Sequence, residues 1–401
     1  MPLNIKNFTH YANIRYASMD NRGHEFSVLI VKAAYDVQRT GECTSSEDQE
    51  PLIFTDEYHG ALNSSAVRYP SDLVPFKPRT DVIFDFVTRS PTNQPERSWL
   101  VDVTAHDLSG LKVEKHLRVF GPRWWKPKWR RSLNDDERKN WRNHRKLFVG
   151  WELTEPEPVR ELHIRYEYAF GGMQVTGQQS DGSPIYKAYE YNPIGRGWID
   201  KEHTDHTQPV PAPQIEDPGD PIVDPYKLYA PVGLGPMPPA WLPRRPLGGT
   251  YDKNWIDNVW PKWPADYDFE YHNSAPADLR GPKGTFFEGD INVVLISRTD
   301  ADKNVGKSID YKMRVTNPTI LLTEWSDGQG PIVRRLNLDT VFVDAADKDH
   351  NTWRIYVIGR AVLPFPIDAV VGVDRKQDWA KLPGETLREV FPPSRHPSEV
   401  V

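Results

Sequence analysis

The stretch Tyr229 to Asp290 constrains this chain most, because Pro236, Pro238, Pro239, Pro243 and Pro246 follow one another within eleven residues. Each proline fixes φ and removes an N–H donor, so a helix of ordinary length is excluded and the backbone runs extended or in turns until Gly248-Gly249. Order must then come from side chains. Trp241, Tyr251, Trp255, Trp260, Trp263, Tyr267, Phe269 and Tyr271 supply them, since aromatic rings bury large areas at small rotamer cost. The stretch is therefore expected to be a packed loop and not a disordered linker, whose composition would be poor in such residues.

The flanking sequence is strand-like. Phe26–Val37 is a β-branched run after the turn Asn21-Arg22-Gly23, and predicts a central strand. Trp99–Ala105 and Leu111–Phe120 alternate at period two around His106–Gly110, which predicts a hairpin. Val82–Val87, Val159–Tyr168, Asp290–Ser297, Ser308–Val315, Pro331–Leu338, Thr340–Val343 and Asn351–Arg360 read as further strands. The fold class is mainly β: antiparallel sheets in two β-sandwich-like halves, joined by long Pro/Trp/Gly-rich loops with few short helices. The expected division is residues 1–200 as an N-terminal β-rich half, 201–250 as an acidic, proline-rich connecting loop, exposed and mobile over Asp205–Pro225, 251–384 as a C-terminal β-rich half, and 385–401 as a flexible tail.

A net charge of −6 and a pI near 6.1 give no global attraction to nucleic acid or anionic membrane. A single cysteine, Cys43, rules out an intrachain disulfide and fits a reducing compartment. No run of eighteen apolar residues and no apolar stretch in Met1–Tyr11 is present, so a soluble, cytoplasmic chain is expected. The one basic-aromatic patch, Arg123–Lys146 with Trp124, Trp125, Trp129 and Trp141, has the ingredients of a single-strand nucleic-acid surface. Cations covering Trp faces explain it as well.

Catalytic signals are sparse. His203-Thr204-Asp205-His206 places two imidazoles near a carboxylate, but the spacing reads as a polar loop, and no metal is expected. Asp266 and Asp268 offer an acid pair at i, i+2, more simply read as turn formers or ion-pair partners. Cys43 has no neighbouring cation in sequence to activate it. The expectation is a protein without catalytic residues, metal or cofactor.

Several ordered motifs go further: Ser71–Val82 with Pro75, Phe76, Lys77, Pro78 and Arg79; Lys115–Trp124; Tyr166–Gly172 with Phe170, Gly171 and Gly172; Tyr191–Gly197 with Asn192, Pro193, Gly195 and Gly197; Gly233, Gly235 and Pro236; Trp241–Arg244; and Gly249–Asp252. Together they resemble a bacterial family of type VI secretion effector adaptors, long catalogued only as a domain of unknown function and encoded beside toxin and PAAR-type genes. The resemblance spans roughly residues 10 to 300 and leaves the Arg123–Lys146 insert unmatched. It implies a non-catalytic chaperone that binds a cognate effector toxin and helps load it on the VgrG/PAAR spike. It also implies work in the cytoplasm of a Gram-negative bacterium, with transient association with the spike. Within the organising stretch, Trp241 and Trp255 are expected on the scaffold side. Trp260, Trp263, Tyr267 and Phe269 are expected to face the partner, with the Trp260–Pro264 segment extended. The competing class is a carbohydrate-active or carbohydrate-binding protein that stacks sugar on the Trp-rich loop.

Overall fold

Thirteen residues, Glu25–Val37, form the longest strand among the described residues, and its composition explains its place. Nearly every side chain is buried because both faces of the strand are covered. Leu29, Val31, Ala33 and Tyr35 enter the main core. Phe26, Val28 and Ile30 meet a second cluster with Leu52, Phe76, Ile358 and Val362 on the opposite face. The structure is a computed structural model that describes residues 5–300, 307–325, 332–347, 350–364 and 370–374. The expected tail 385–401 lies outside the described residues.

This strand sits mid-way in a twelve-stranded sheet. From edge to edge the order is Glu161–His163, Asp81–Arg89, Asn337–Ala345, Arg354–Pro364, Glu25–Val37, Glu42–Ser45, Ser308–Val315, Ile291–Arg298, Ser98–His106, Lys112–Phe120 and Ile215–Glu216, while Ala12–Met19 pairs beside Glu25–Val37. Most neighbours are antiparallel, but Asp81–Arg89 runs parallel to Asn337–Ala345. The sheet curls on itself. Thr88, next to one edge, meets Ser297 through a 2.8 Å hydroxyl contact and accepts the Trp99 indole N–H at 2.9 Å, although both partners lie well across the strand order. A four-stranded sheet of Ile5–Asn7, Val370–Asp374, Leu321–Trp325 and Ile332–Arg335 packs on the same core through Leu322, Val371 and Val373.

The mainly β class and the predicted hairpin are as expected; Ser98–His106 pairs antiparallel with Lys112–Phe120. The halves are not separate. Strands from 1–200 and 251–384 alternate within one sheet, because period-two patterning marks a strand without specifying its partner. The connecting region is also woven in: Val210–Pro211 pairs with Trp124–Trp129, and Ile215–Glu216 closes the sheet edge against Lys112–Phe120. Residues 212–216 are buried, so this part of the acidic loop is anchored. The strand expected over Val159–Tyr168 is cut to Glu161–His163, followed by a 3-10 turn at Tyr166–Tyr168.

The basic-aromatic insert is a packing unit. Trp125 and Trp141 are buried, and Trp125 joins Phe170, Tyr189, Ile199, Ala212, Ile222 and Tyr229 in a separate cluster. Arg142 and Arg145 cover the Trp141 ring at 4.9 and 5.3 Å, a cation–π arrangement that needs no ligand.

Candidate functional site: an aromatic lobe on a charged anchor

The organising stretch is strand-free and divides in two. Its first part is clamped to the scaffold. Leu234 lies in the main core, and its carbonyl accepts the Phe84 N–H at 3.0 Å. Gly233 lies against Tyr166, where a Cβ would come within 2.7 Å of the ring, so only glycine permits that approach. Trp241 is buried edge-on against Tyr166 at 5.1 Å. The buried Arg244 guanidinium donates to the carbonyls of Met237 and Tyr271.

Below the lobe lies the motif Pro75–Arg79. Lys77 Nζ donates to Asp81 at 2.9 Å and to Thr340 at 2.8 Å, with both charged groups buried. The other donors to Asp81 come from the lobe: Asn273 Nδ2 at 2.9 Å and the Ser274 N–H at 2.8 Å. Arg79 reaches Glu270 at 3.1 Å, and Phe76 meets Phe269 edge-on at 5.6 Å. Two motifs far apart in sequence thus form one joint.

Beyond the joint the chain projects outward. A short helix, Lys253–Asn258, is N-capped by Asp252, which accepts the Trp255 N–H at 2.8 Å. Trp255 is half-buried, its indole donating to the Lys262 carbonyl at 2.9 Å and its ring contacting Tyr251 at 4.7 Å and Trp260 at 5.6 Å. Tyr251, Ile256 and Trp260 are 55%, 61% and 68% exposed. They form the outer face.

Several placements differ from expectation. Trp241 is on the scaffold, but Trp255 belongs to the outer cluster. Trp260 is exposed, whereas Trp263, Tyr267 and Phe269 are half-buried and pack on one another at 4.3 to 5.6 Å. Tyr267 also hydrogen-bonds His272, whose imidazole is driven well below its ordinary pKa by burial. The segment expected to be extended turns back on the helix: the Trp260 N–H reaches the Trp255 carbonyl at 2.9 Å, and the Trp260–Pro261 bond is cis. Proline-bounded spacing resembles a polyproline ladder but also suits a tight turn.

The remaining candidates have local duties. Asp266 accepts from the Thr250 backbone and hydroxyl, and Asp268 caps Phe269–His272, so they are turn formers. His203 pairs with Asp200 at 2.7 Å, while the His206 Nδ1–H donates to the Thr204 carbonyl at 2.8 Å and the ring stacks on Trp141 at 4.4 Å. The two rings serve different contacts. The Phe170–Gly172 and Asn192–Gly197 motifs pair in parallel through Phe170–Gly171 and Arg196–Gly197, and line an open groove of about 370 Å³. Gly171, at φ 155°, would place a Cβ 2.1 Å from the Asn192 carbonyl oxygen, and Asn192 Nδ2 ties Tyr166 and Phe170 together.

Burial pushes the Cys43 thiol up to about 12. At pH 8 a thiol-alkylating reagent is expected to leave the native protein unlabelled and to modify Cys43 fully in urea. Rapid native labelling would refute this.

One cluster had no sequence signal. His59, Asp85 and His163 bring three ligand-type atoms within 4.8 Å of one another. Gaps of 26 and 78 residues give no recognisable spacing; the pairing of Glu161–His163 with Asp81–Arg89 brings His163 to Asp85, and His59 reaches it from the chain after Glu57–Tyr58. Burial lowers the His59 imidazole to about 4, against the opposing pull of Asp85. For Asp85, burial acts upward but contact with His163, His59 and Arg68 outweighs it and holds the carboxyl below its usual range.

Residues 22–354 match the profile of the family described as "Uncharacterized protein conserved in bacteria (DUF2169)". The chain belongs to that family. The matched span contains both halves of the joint, the aromatic lobe and the His59–Asp85–His163 cluster. None of the curated proteins and none of the solved structures matches the chain. Among the described residues, no helix is long and apolar enough to cross a membrane.

Proposed function

We propose that this protein is a non-catalytic adaptor and chaperone that docks a type VI secretion effector on its aromatic lobe and helps load it on a VgrG/PAAR spike. The observation that carries the reading is the exposed Tyr251, Ile256 and Trp260 face on a lobe pinned to the buried Lys77–Asp81 pair through Asn273 and Ser274. Large rings held by a stiff base lose little conformational freedom on binding, and aromatic anchors dominate protein interfaces. The motif resemblance supplies the partner class. Asp266 and Asp268 are committed to the lobe's own backbone, which favours binding over sugar hydrolysis. In this reading the chain works in the bacterial cytoplasm and meets the spike transiently.

The test is co-expression with any toxin and tip protein encoded beside its gene. Co-elution with the toxin, and a fall in soluble toxin when the chain is withheld, are expected. Independent elution with unchanged toxin abundance would overturn the adaptor reading. Retention on immobilised polysaccharide instead of toxin would favour the carbohydrate-binding class.

A further inference from the structure

We propose that His59, Asp85 and His163 bind one divalent first-row transition-metal ion, with zinc the best match. The site is independent of the adaptor reading. Asp85 projects from the Asp81–Arg89 strand, His163 ends the neighbouring edge strand, and His59 follows the short strand Glu57–Tyr58. Both imidazoles turn Nε2 towards Asp85 Oδ1, at 2.5 Å for His163 and 3.7 Å for His59. Their rings lie edge to face with centroids 5.0 Å apart.

A tetrahedral ion with bonds of about 2.0–2.2 Å separates its ligand atoms by roughly 3.3–3.5 Å. The observed spacings, from 2.5 Å up to at most 4.8 Å, bracket that value, so modest ring rotations convert the cluster into a binding site. The proton shared by His163 and Asp85 would leave as the ion enters.

The surroundings fit as well. Arg68 Nε donates to Asp85 Oδ2 at 2.8 Å, which fixes the carboxylate and leaves Oδ1 facing the imidazoles. Such outer contacts orient metal ligands. A second carboxylate, Asp344, lies 3.6 Å from Arg68 and accepts the Tyr69 hydroxyl at 2.5 Å. Around the cluster the carboxyls of Asp85, Asp344 and Glu167 face the guanidiniums of Arg68 and Arg165, so acidic groups outnumber basic ones. Two nitrogens and one oxygen suit zinc and its neighbours and disfavour calcium or magnesium, which prefer oxygen cages. The His163 side chain is 24% exposed, so the cluster meets solvent at that ring. Bound there, the ion ties the loop around His59 to the edge of the main sheet. That loop also carries Ala66, whose N–H donates to Glu167 at 3.0 Å beside the Tyr166–Trp241 contact.

The experiment uses the full chain, stripped with chelator, dialysed, and titrated with Zn²⁺ and separately with Co²⁺. One equivalent of zinc is expected, with a raised melting temperature and a Co²⁺ visible spectrum showing nitrogen ligation. His59→Gln and His163→Gln are each expected to weaken binding at least about tenfold and to abolish the zinc-dependent rise in melting temperature. Circular dichroism of the stripped variants establishes that they fold. His203→Gln serves as a control and is expected to bind like the parent. Failure of the parent to bind zinc at micromolar concentration, or stoichiometric binding that survives both substitutions, would overturn the site. If a glutamine variant fails to fold, the Co²⁺ spectrum of the parent decides, and a spectrum without imidazole nitrogen refutes the proposal.

Discussion

Replacing Lys77 by methionine is expected to cost about 3–5 kcal/mol of stability at neutral pH, the range for breaking a buried ion pair from one side. Lys77 and Asp81 are both buried, and Asp81 also holds the lobe through Asn273 and the Ser274 N–H. Methionine preserves most of the stem volume while removing the ammonium, so the loss reports the charge. For Asp81, burial acts upward on the pKa, but Lys77, Arg280 and the hydrogen bonds from Lys77 and Asn273 outweigh it, and the folded value lies below the ordinary one. Its contribution is thus fully present above the unfolded carboxylate value of about 3.9 and is lost as pH falls through the lowered folded value. Without Lys77 the burial effect gains ground and moves the carboxyl upward. The variant then takes up its proton earlier on acidification, and its deficit shrinks. Urea unfolding of parent and variant across this range is expected to show the widest gap at neutral pH. A gap below 1 kcal/mol, or one that grows in acid, would show that the pair does not hold the joint. Lys77→Met/Asp81→Asn is expected to regain part of the loss, because no charge is left stranded.

That joint illustrates what a sequence carries. The strands Glu25–Val37, Asp81–Arg89 and Ile291–Arg298 were legible because apolar residues recur at period two or fill a doubly covered strand. Their neighbours were not. The parallel contact between Asp81–Arg89 and Asn337–Ala345 joins segments more than 250 residues apart, and nothing local in either strand records it. Lys77 and Arg79 stood out as motif residues, but their partners Asp81, Thr340 and Glu270 required the fold. The aromatic stretch is packed where Leu234 and Trp241 enter the scaffold and exposed at Tyr251, Ile256 and Trp260, and the sorting of its rings depends on a turn between Trp255 and Trp260 that proline spacing does not encode. His59 and His163 are single histidines in unremarkable contexts. Only the fold makes them neighbours of Asp85.

On the proposed adaptor reading, substitutions on the outer face of the lobe are expected to separate binding from folding. Trp260→Ala and Ile256→Asp are expected to leave the melting temperature nearly unchanged, since substitutions at exposed positions usually alter stability by no more than about 0.5 kcal/mol. Each is expected to weaken effector binding by about 2 kcal/mol, close to thirtyfold, the scale of an interface anchor. Trp263→Ala is expected to show the reverse. Its ring packs on Tyr267 and Phe269, and Phe269 leans on Phe76 and hence on the Lys77–Asp81 joint, so truncation opens the lobe's base before it touches the outer face. Trp255→Ala falls between the two, because the ring supports Tyr251 and Trp260 while its indole closes the turn through the Lys262 carbonyl. The measurement is thermal unfolding of each variant alongside calorimetric titration with the effector recovered by co-elution. Normal binding by Trp260→Ala and Ile256→Asp together, with intact folding, would remove this face from the interface even if the effector still co-elutes. Loss of folding in Trp260→Ala would instead mean that the exposed ring props the lobe from outside, and that the partner reads some other surface.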